Sequence, residues 1–225
     1  MKVALLGPPG SFSEEAALEY YGPDIEIVYA SGFDEMVKLV DEKKVDGYFI
    51  PTETSRGGMI TEARDAILKS DAKIVGKYDF EPQFYMFAKE DNPNLKSIGS
   101  HPQGLIASRD FLDKNYPQLT RIKTSSTSEA ARLASEDPTL AAISSKRAGE
   151  IYNLQELHKI PIIKFEPKKG SICVYAGNPK SLQEIIPPNG RDLGGGLEKC
   201  GETLEKLLEK YRKNSPEGVD FKIIR

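Results

Sequence analysis

The stretch KVALLGPPGSFSEEAALEYYGPDIEIVYA, residues 2–30, decides the fold. It begins with a short apolar run, turns at Gly and Pro, and continues with a predicted helix over Phe12–Tyr21 before a second apolar run. Within that helix, Phe12, Ala16, Ala17 and Tyr20 recur at helical spacing. A strand, a helix and a further strand in this order are typical of α/β proteins. The pattern predicts an α/β fold with mainly parallel sheets.

The same alternation continues beyond this stretch. Ser31 is a good N-cap for a short helix that carries apolar residues at helical spacing. The strand Val45–Ile50 is predicted to stop at Pro51. The strand-like run Ile74–Ala88, broken by Pro82, indicates that the chain leaves one sheet and enters another.

Two lobes are therefore predicted, the first from residues 1–76 and 160–176 and the second from residues 77–159. The second lobe is expected to consist of βαβ units, with helices over residues 104–116, 129–135 and 146–153. The strand Ile172–Ala176 is expected to return to the first lobe. Residues 177–225 are predicted to form a linker, an amphipathic helix over Leu197–Tyr211 and a last strand.

The composition excludes several classes of protein. A net charge of −3, with 29% charged residues, does not favour nucleic acid as a partner. The apolar runs are too short for a membrane span, and Val3–Leu6 is too short for a signal peptide, so we expect a cytoplasmic protein. Cys173 and Cys200 are expected to be free thiols, and with two histidines in the chain we expect no metal site.

Four polar clusters follow predicted strands: GPPGSFSEE from Gly7, PTETSRGGM from Pro51, SHPQG from Ser100 and TSSTSE from Thr124. The carboxyl ends of parallel strands are where ligands bind in open α/β sheets, so two facing lobes would form a cleft there. The N–H groups of helix N-termini and neutral hydroxyls suit a small anionic ligand. Each serine or threonine could instead simply cap its helix.

Two ionisable residues within these clusters have alternative interpretations. Glu53 could project into the cleft or form an ion pair with Arg56, and His101 could bind a ligand or fix the turn before Pro102. The chain contains no Gly-x-Ser-x-Gly elbow, P-loop or Gly-x-Gly-x-x-Gly motif, so it does not match the common hydrolase or nucleotide-binding patterns.

The clusters together resemble prephenate dehydratase over about residues 1–176. LGPPGSFSEEAAL is similar to the opening motif of that family, DGYFIPTETSRGGMI to its Pro-Ile-Glu-Asn-Ser segment, and SHPQGL and SSTSEAA to two further motifs in the same order. The resemblance implies two lobes like those of type II periplasmic binding proteins, with the substrate between them. It also implies a lyase without cofactors that converts prephenate to phenylpyruvate by decarboxylation and dehydration.

The resemblance also implies site residues. Ser171, in EPKKGSICVY, stands where the family's Thr-Arg-Phe motif has its threonine, while Ile172 replaces the arginine and Cys173 the phenylalanine. The implied catalytic residues are Ser171, Glu53 and Ser55. The implied substrate-binding residues are Ser11, Phe12, Ser13, Thr54, Ser100, His101, Gln103, Ser126 and Thr127.

The departures from the motifs leave three hypotheses open: a prephenate dehydratase, an enzyme of the same scaffold such as a non-aromatising prephenate decarboxylase, and a non-catalytic binder of small carboxylates. Loss of the arginine removes a charge-assisted contact, which Arg56, Lys168 or Lys169 could replace. A regulatory ACT domain is not recognisable in residues 177–225, so we expect no feedback through one. The family resemblance implies a homodimer or tetramer, with the Leu197–Tyr211 helix as a candidate interface.

Overall fold

A computed structural model describes residues 1–54, 58–70, 72–90, 94–161 and 171–177; for Gly58, 73–77, Asp79 and 171–177 it describes the backbone only. The strands are β1 Lys2–Leu6, β2 Glu26–Ala30, β3 Gly47–Thr54, β4 Gly58–Met59, β5 Lys73–Phe80, β6 Tyr85–Ala88, β7 Ser97–Ser100, β8 Thr120–Lys123, β9 Leu140–Ser144, β10 Gln155–Lys159 and β11 Ser171–Gly177. The helices are α1 Phe12–Tyr21, α2 Phe33–Asp41, α3 Thr61–Lys69, α4 Pro102–Ala107, α5 Arg109–Asn115, α6 Thr127–Glu136 and α7 Lys146–Ile151.

The first sheet has the order β2-β1-β3-β11-β5, and β4 pairs with β3. Strand β1 is parallel to β2 and β3, whereas β11 runs antiparallel between β3 and β5. Alternate residues of β1 point to opposite faces. Val3 and Leu5 pack against α1, and Ala4 packs in the cluster that includes α2 and α3. Helices therefore cover both faces of this sheet.

The second sheet has the order β10-β6-β9-β7-β8. Strands β7, β8 and β9 are parallel, and β6 is antiparallel to β9 and β10. Ala141 and Ile143 of β9 pack in a cluster with residues of α4 and α5, while Leu140 and Ala142 pack with α6. This sheet is again enclosed by helices on two faces.

The strand register shows which edges of the two sheets meet. Tyr85, the first residue of β6, pairs with Ser144, the last residue of β9. The chain reaches Tyr85 directly from Phe80, the last residue of β5, so the carboxyl edge of β9 lies beside the crossing from the first sheet. The Gln83 side-chain amide donates hydrogen bonds to the carbonyls of Phe84 and Ile160 at 2.9 and 2.8 Å, which ties the outgoing and returning segments together. The carboxyl edges of the two sheets therefore face each other.

The α/β fold is confirmed, and α1 has the predicted bounds. The return of β11 to the first sheet is also confirmed. The predicted end of β3 at Pro51 is wrong, because β3 continues to Thr54. Pro51 lacks an N–H group, and the β3–β11 register shifts next to its partner Cys173, so the strand accommodates the proline at an irregularity.

Other boundaries also differ from prediction. Gly32, and not Ser31, occupies the N-cap of α2, because the N–H and hydroxyl of Ser31 both donate to the Glu35 carboxylate. The helix predicted over residues 104–116 is divided into α4 and α5 at Ser108. The predicted lobe boundary after residue 76 falls inside β5, so the crossing lies after Phe80.

Three observed elements were not predicted: the two-residue strand β4, helix α3 and the edge strand β10. Within the described ranges, no helix is both long and apolar enough to span a membrane. The predicted helix over Leu197–Tyr211 and the other predictions for residues 178–225 lie outside the described residues.

Candidate active site between the two sheets

The loop Gly7–Gly10, which connects β1 to α1, contacts the second sheet's helices directly. The carbonyl of Pro9 accepts a hydrogen bond from the Ser128 hydroxyl in α6, and the carbonyl of Gly10 accepts one from the Ser145 hydroxyl at 2.6 Å. Gly10 has φ +80°, and a Cβ there would lie 2.8 Å from the Ala148 Cα. Both the backbone conformation and the close approach therefore require glycine.

Glu14, in the first turn of α1, is 1% exposed and connects this loop to α7. Its Oε2 accepts hydrogen bonds from the Gly10 N–H at 2.6 Å and from the Tyr29 hydroxyl at 2.9 Å. Its Oε1 accepts from the Arg147 Nε at 3.0 Å. The pairing with Glu14 raises the pKa of Arg147, and burial together with this carboxylate raises the pKa of Tyr29. Glu14 is thus a buried carboxylate with a full set of donors.

Glu14, Ser128, Ser145 and Arg147 were not singled out in the sequence. The motif GSFSEE gave one usable signal, an acidic residue in the first helical turn. That signal is shared by many exposed N-termini. Nothing in the local pattern shows that the carboxylate is buried by a residue 133 positions away.

Helices α1 and α6 begin with serine caps on the facing edges. The Ser11 hydroxyl accepts from the Glu14 N–H at 3.2 Å, and the Ser126 hydroxyl accepts from the Glu129 N–H at 2.9 Å. The capping interpretation therefore holds for both. Ser13 and Thr127 lie half-buried in the first turns. The first-turn N–H groups of a helix have no carbonyl partner within that helix and attract anions.

Phe12 joins the first and third clusters. Its ring centroid lies 6.4 Å from that of Phe80 and 4.9 Å from that of Phe84, in an edge-on arrangement with Phe84. The Phe84 ring in turn lies 3.3 Å from the position of a Cβ added to Gly104, in α4. A continuous aromatic contact therefore leads from the start of α1 to the cluster SHPQG.

Within the third cluster, His101 caps α4. Its Nδ1 accepts from the Gln103 N–H at 3.3 Å, and burial lowers the pKa of the imidazole. Gln103 is exposed, whereas Ser100 is fully buried and its hydroxyl donates to the Ile143 carbonyl at 2.7 Å. The prediction that Ser100 contacts substrate is not supported by this geometry, because its hydroxyl is enclosed and already bonded between β7 and β9.

The second cluster lies where β3 and β5 end and the antiparallel strand β11 begins between them. Glu53 and Thr54 are half-buried at the end of β3. In the backbone register, Glu53 is opposite Ile172, and Ile172 is also opposite Asp79 of β5. Ser171 is opposite Phe80, the residue whose ring approaches Phe12. The register thus brings Ser171 and Ile172 beside Glu53 and next to the aromatic contact that leads to α1.

Several predicted site features are not described. Ser55, Arg56, Lys168 and Lys169 lie outside the described residues, and for Ser171 the backbone alone is described. The alternative pairing of Glu53 with Arg56 therefore stays untested. Among the described residues, no group of three His, Cys, Asp or Glu side chains is placed to hold a metal ion.

The arrangement can bind a small anion and assist proton movement. The N-termini of α1 and α6 are joined through the Gly7–Gly10 loop, and the strand ends supply a carboxylate, Glu53, and hydroxyl-bearing residues. Phe80 is buried in the core of the first sheet, whereas Phe12 and Phe84 are half-buried beside these groups and present the kind of ring that packs against a planar or cyclic ligand. These features match a cleft for a compact carboxylate-bearing ring compound.

The family model described as prephenate dehydratase matches residues 3–163. A relative from Pseudomonas aeruginosa, named bifunctional chorismate mutase/prephenate dehydratase, is 30% identical over 226 aligned residues, covering 98% of this chain and 59% of the relative. That alignment extends over most of the residues beyond 177. The expectation that residues 177–225 do not form a recognisable ACT domain stays a prediction.

Two solved structures share the fold. The prephenate dehydratase of Arthrobacter aurescens, in complex with L-Phe, gives a TM-score of 0.69 at 22% identity, with coverage of 80% of this chain and 61% of the other. A protein described as GqqA, a novel type of quorum quenching acylase, gives a TM-score of 0.70 at 17% identity, with coverage of 79% and 64%. At these identities the structures show the fold alone, and one fold can carry different activities.

Proposed function

Because this chain belongs to the prephenate dehydratase family, we propose that it converts prephenate to phenylpyruvate, carbon dioxide and water, a step of phenylalanine biosynthesis. The chain spans 59% of the length of its Pseudomonas aeruginosa relative, which is named for two activities, so that name alone does not assign an activity to this chain. The proposal is therefore based on the residues that resemble the family's catalytic motifs. The observation that carries the proposal is the register that sets Ser171 and Ile172 beside Glu53 at the edge facing the second sheet.

The reaction breaks two bonds of the ring. The electron pair of the C–C bond to the ring carboxylate enters the ring as carbon dioxide leaves, and the C–O bond of the ring hydroxyl breaks as the ring becomes aromatic. The departing hydroxide needs a hydrogen-bond donor or a proton. We assign this role to the Ser171 hydroxyl. Glu53, on the neighbouring strand, is assigned to orient or reprotonate the same donor.

The two substrate carboxylates need anchors. The N-termini of α1 and α6 supply backbone N–H groups, and Ser13, Thr54, Gln103 and Thr127 supply neutral donors on the facing edges. Ser11, Ser126 and His101 act by fixing the caps of these helices. Phe12 is assigned to pack against the ring. In this assignment, most of the substrate's charge is met by dipoles, because Ile172 lacks the family's guanidinium.

The test is incubation of the purified chain with prephenate, followed by ultraviolet absorbance and mass spectrometry of the product, with an enzyme-free control. The proposal predicts phenylpyruvate at a rate well above the control. A decarboxylated product that retains a non-aromatic ring would indicate the divergent enzyme instead. Saturable prephenate binding without turnover would indicate a binder.

The cellular location and the oligomeric state of the protein are part of the proposal. We place the protein in the cytoplasm as a homodimer or tetramer, with the apolar side of the Leu197–Tyr211 segment as the interface. Light scattering after gel filtration measures the mass directly. Charged replacements of Leu204 and Leu208 should shift the mass toward the monomer, and an unchanged mass would remove this segment from the interface.

A further inference from the structure

The contacts between the Gly7–Gly10 loop and the second sheet's helices form a defined unit, here called the joint: Pro9, Gly10, Glu14, Ser128, Ser145 and Arg147. None of these residues is among those assigned above to catalysis or to substrate binding. All of them lie between the facing edges of the two sheets.

The joint is built around one charge pair. Glu14 is 1% exposed, while the Arg147 side chain is 41% exposed and reaches the carboxylate through its Nε at 3.0 Å. The Arg147 backbone N–H also donates to the Glu15 carboxylate at 3.0 Å. The first turn of α7 is thus fixed to the first turn of α1 through both side-chain and backbone groups.

The remaining donors of Glu14 come from its own side of the cleft. The Gly10 N–H and the Tyr29 hydroxyl both bond to Oε2, whereas Arg147 bonds to Oε1. The two oxygens therefore separate two tasks: Oε2 shapes the loop before α1, and Oε1 joins that loop to the second sheet. A buried carboxylate that loses its cation becomes costly, so the pair resists separation of the two sheets.

We propose that Glu14 and Arg147 are a positioning pair, which sets the distance between the N-termini of α1 and α6 at which both substrate carboxylates are bound. The pair acts through the Gly7–Gly10 loop and does not contact the reacting atoms. As a role in substrate positioning it rests on the proposed dehydratase function; as a connection between the lobes it does not.

The decisive variants are Glu14→Gln and Arg147→Gln. The glutamine at position 14 can keep the loop bonds through its Oε1, but its amide N–H group would then face Arg147, so it breaks the connection between lobes selectively. Arg132→Gln is the matched control: Arg132 is 40% exposed, pairs with two glutamates on α6 and lies outside the joint.

In steady-state kinetics with prephenate, each single joint variant should lower kcat/KM by about 10- to 100-fold, as expected for misplaced anchors. The Glu14→Gln/Arg147→Gln double variant should be no worse than either single variant, because both remove one interaction. Arg147→Lys should recover part of the loss, and Arg132→Gln should stay within about twofold of the unmodified chain. A purely structural role would lower the melting temperature and leave kcat/KM of the folded protein unchanged, which would overturn the proposal.

Hydrogen exchange provides the readout that does not depend on turnover. Peptides covering Gly7–Gly10 and the start of α7 should exchange faster in both joint variants and not in Arg132→Gln. If the unmodified chain makes no phenylpyruvate but the joint variants still exchange faster than Arg132→Gln, the dehydratase proposal fails and the connection between lobes stands. Unchanged exchange in folded Arg147→Gln would refute the connection itself.

Discussion

The two halves of the candidate site are held together in different ways. At the joint, loop and helix residues that pack on the two sheets meet in buried and half-buried hydrogen bonds, centred on Glu14 and Arg147. At the strand face, where β3 and β5 end and β11 begins, the positions are set by backbone pairing. Ile172, which the resemblance places at the family's arginine position, is opposite Glu53 on one side and Asp79 on the other.

This difference means that the placement of the helix N-termini and the side chains of the strand face can vary independently. The joint can keep the helix N-termini in place whatever side chains follow Ser171, because it shares no residue with β11. The strand face can change its chemistry without loss of the fold, since an isoleucine pairs as well as an arginine in a strand.

The largest effect is expected from Ser171→Ala. If this hydroxyl assists departure of the ring hydroxyl, its removal should lower kcat by about 10²- to 10³-fold, as for loss of one donor aimed at developing negative charge. The measurement is phenylpyruvate formation under saturating prephenate. Ser171→Thr, which restores the family's residue, is the matched control and should keep most of the activity. Equal rates for the alanine variant and the unmodified chain would exclude Ser171 from the chemistry.

A second test restores the missing charge. Ile172→Arg should lower KM for prephenate by about 10- to 100-fold, since a charge-assisted hydrogen bond contributes about 1.5–3 kcal/mol. Its neighbours in the register, Glu53 and Asp79, would also favour a cation at this position. Ile172→Met changes the side chain without adding charge and should leave KM near its starting value.

The outcome of this second test distinguishes two explanations of the altered motif. If Ile172→Met lowers KM as much as Ile172→Arg, the effect of position 172 comes from packing and not from charge. If Ile172→Arg raises KM, the two flanking acids hold the guanidinium away from the substrate, and the carboxylate anchors lie elsewhere.

Sequence reasoning was most successful where the signal was local. The bounds of α1 could be predicted because Ser11 caps the helix and the apolar residues Phe12, Ala16 and Ala17 follow at helical spacing. The polar clusters could be placed at strand ends for the same reason. The return of β11 to the first sheet was likewise read from its apolar pattern and its place in the chain.

The elements and contacts that were missed or misread share one physical cause: none of them has a distinctive local sequence pattern. The five residues of β10 are all exposed or half-buried, because β10 is an edge strand, so no apolar alternation marks it. In α3 the fully buried residues are Ala63 and Ala66, which give a weak pattern. The burial of Glu14 depends on packing against α7, which no local pattern contains. Ser100 was misread because a hydroxyl that bridges two strands looks, in sequence, like one that lines a cleft.

The close packing behind the cluster SHPQG gives a stability prediction. A Cβ added to Gly104 would lie 2.3 Å from the Ser100 hydroxyl oxygen, which is itself fixed to the Ile143 carbonyl. Gly104→Ala should therefore lower the free energy of unfolding by about 1–3 kcal/mol through overpacking. A Cβ at Gly99 would meet its nearest neighbour at 3.5 Å, so Gly99→Ala is the matched control and should cost less. Urea unfolding of both variants checks this, and equal losses would contradict the packing argument.

The smallest expected effect concerns pH and the cap of α4. Burial lowers the pKa of His101 below its ordinary 6.5, and its Nδ1 accepts the Gln103 N–H, so the folded protein favours the neutral ring. The unfolded chain therefore binds this proton more strongly, and the contribution to stability is complete above about pH 6.5 and lost as the pH falls through the lowered pKa. His101 is only partly buried, so we expect a few tenths of a kcal/mol. Asparagine caps helices without titrating, so the His101→Asn variant lacks this pH dependence. The fall in the urea midpoint between about pH 7.5 and about pH 5.5 should therefore be smaller for His101→Asn than for the unmodified chain. Other titrating groups are common to both proteins and cancel in this difference, so an identical pH dependence would mean that protonation of His101 does not weaken the cap.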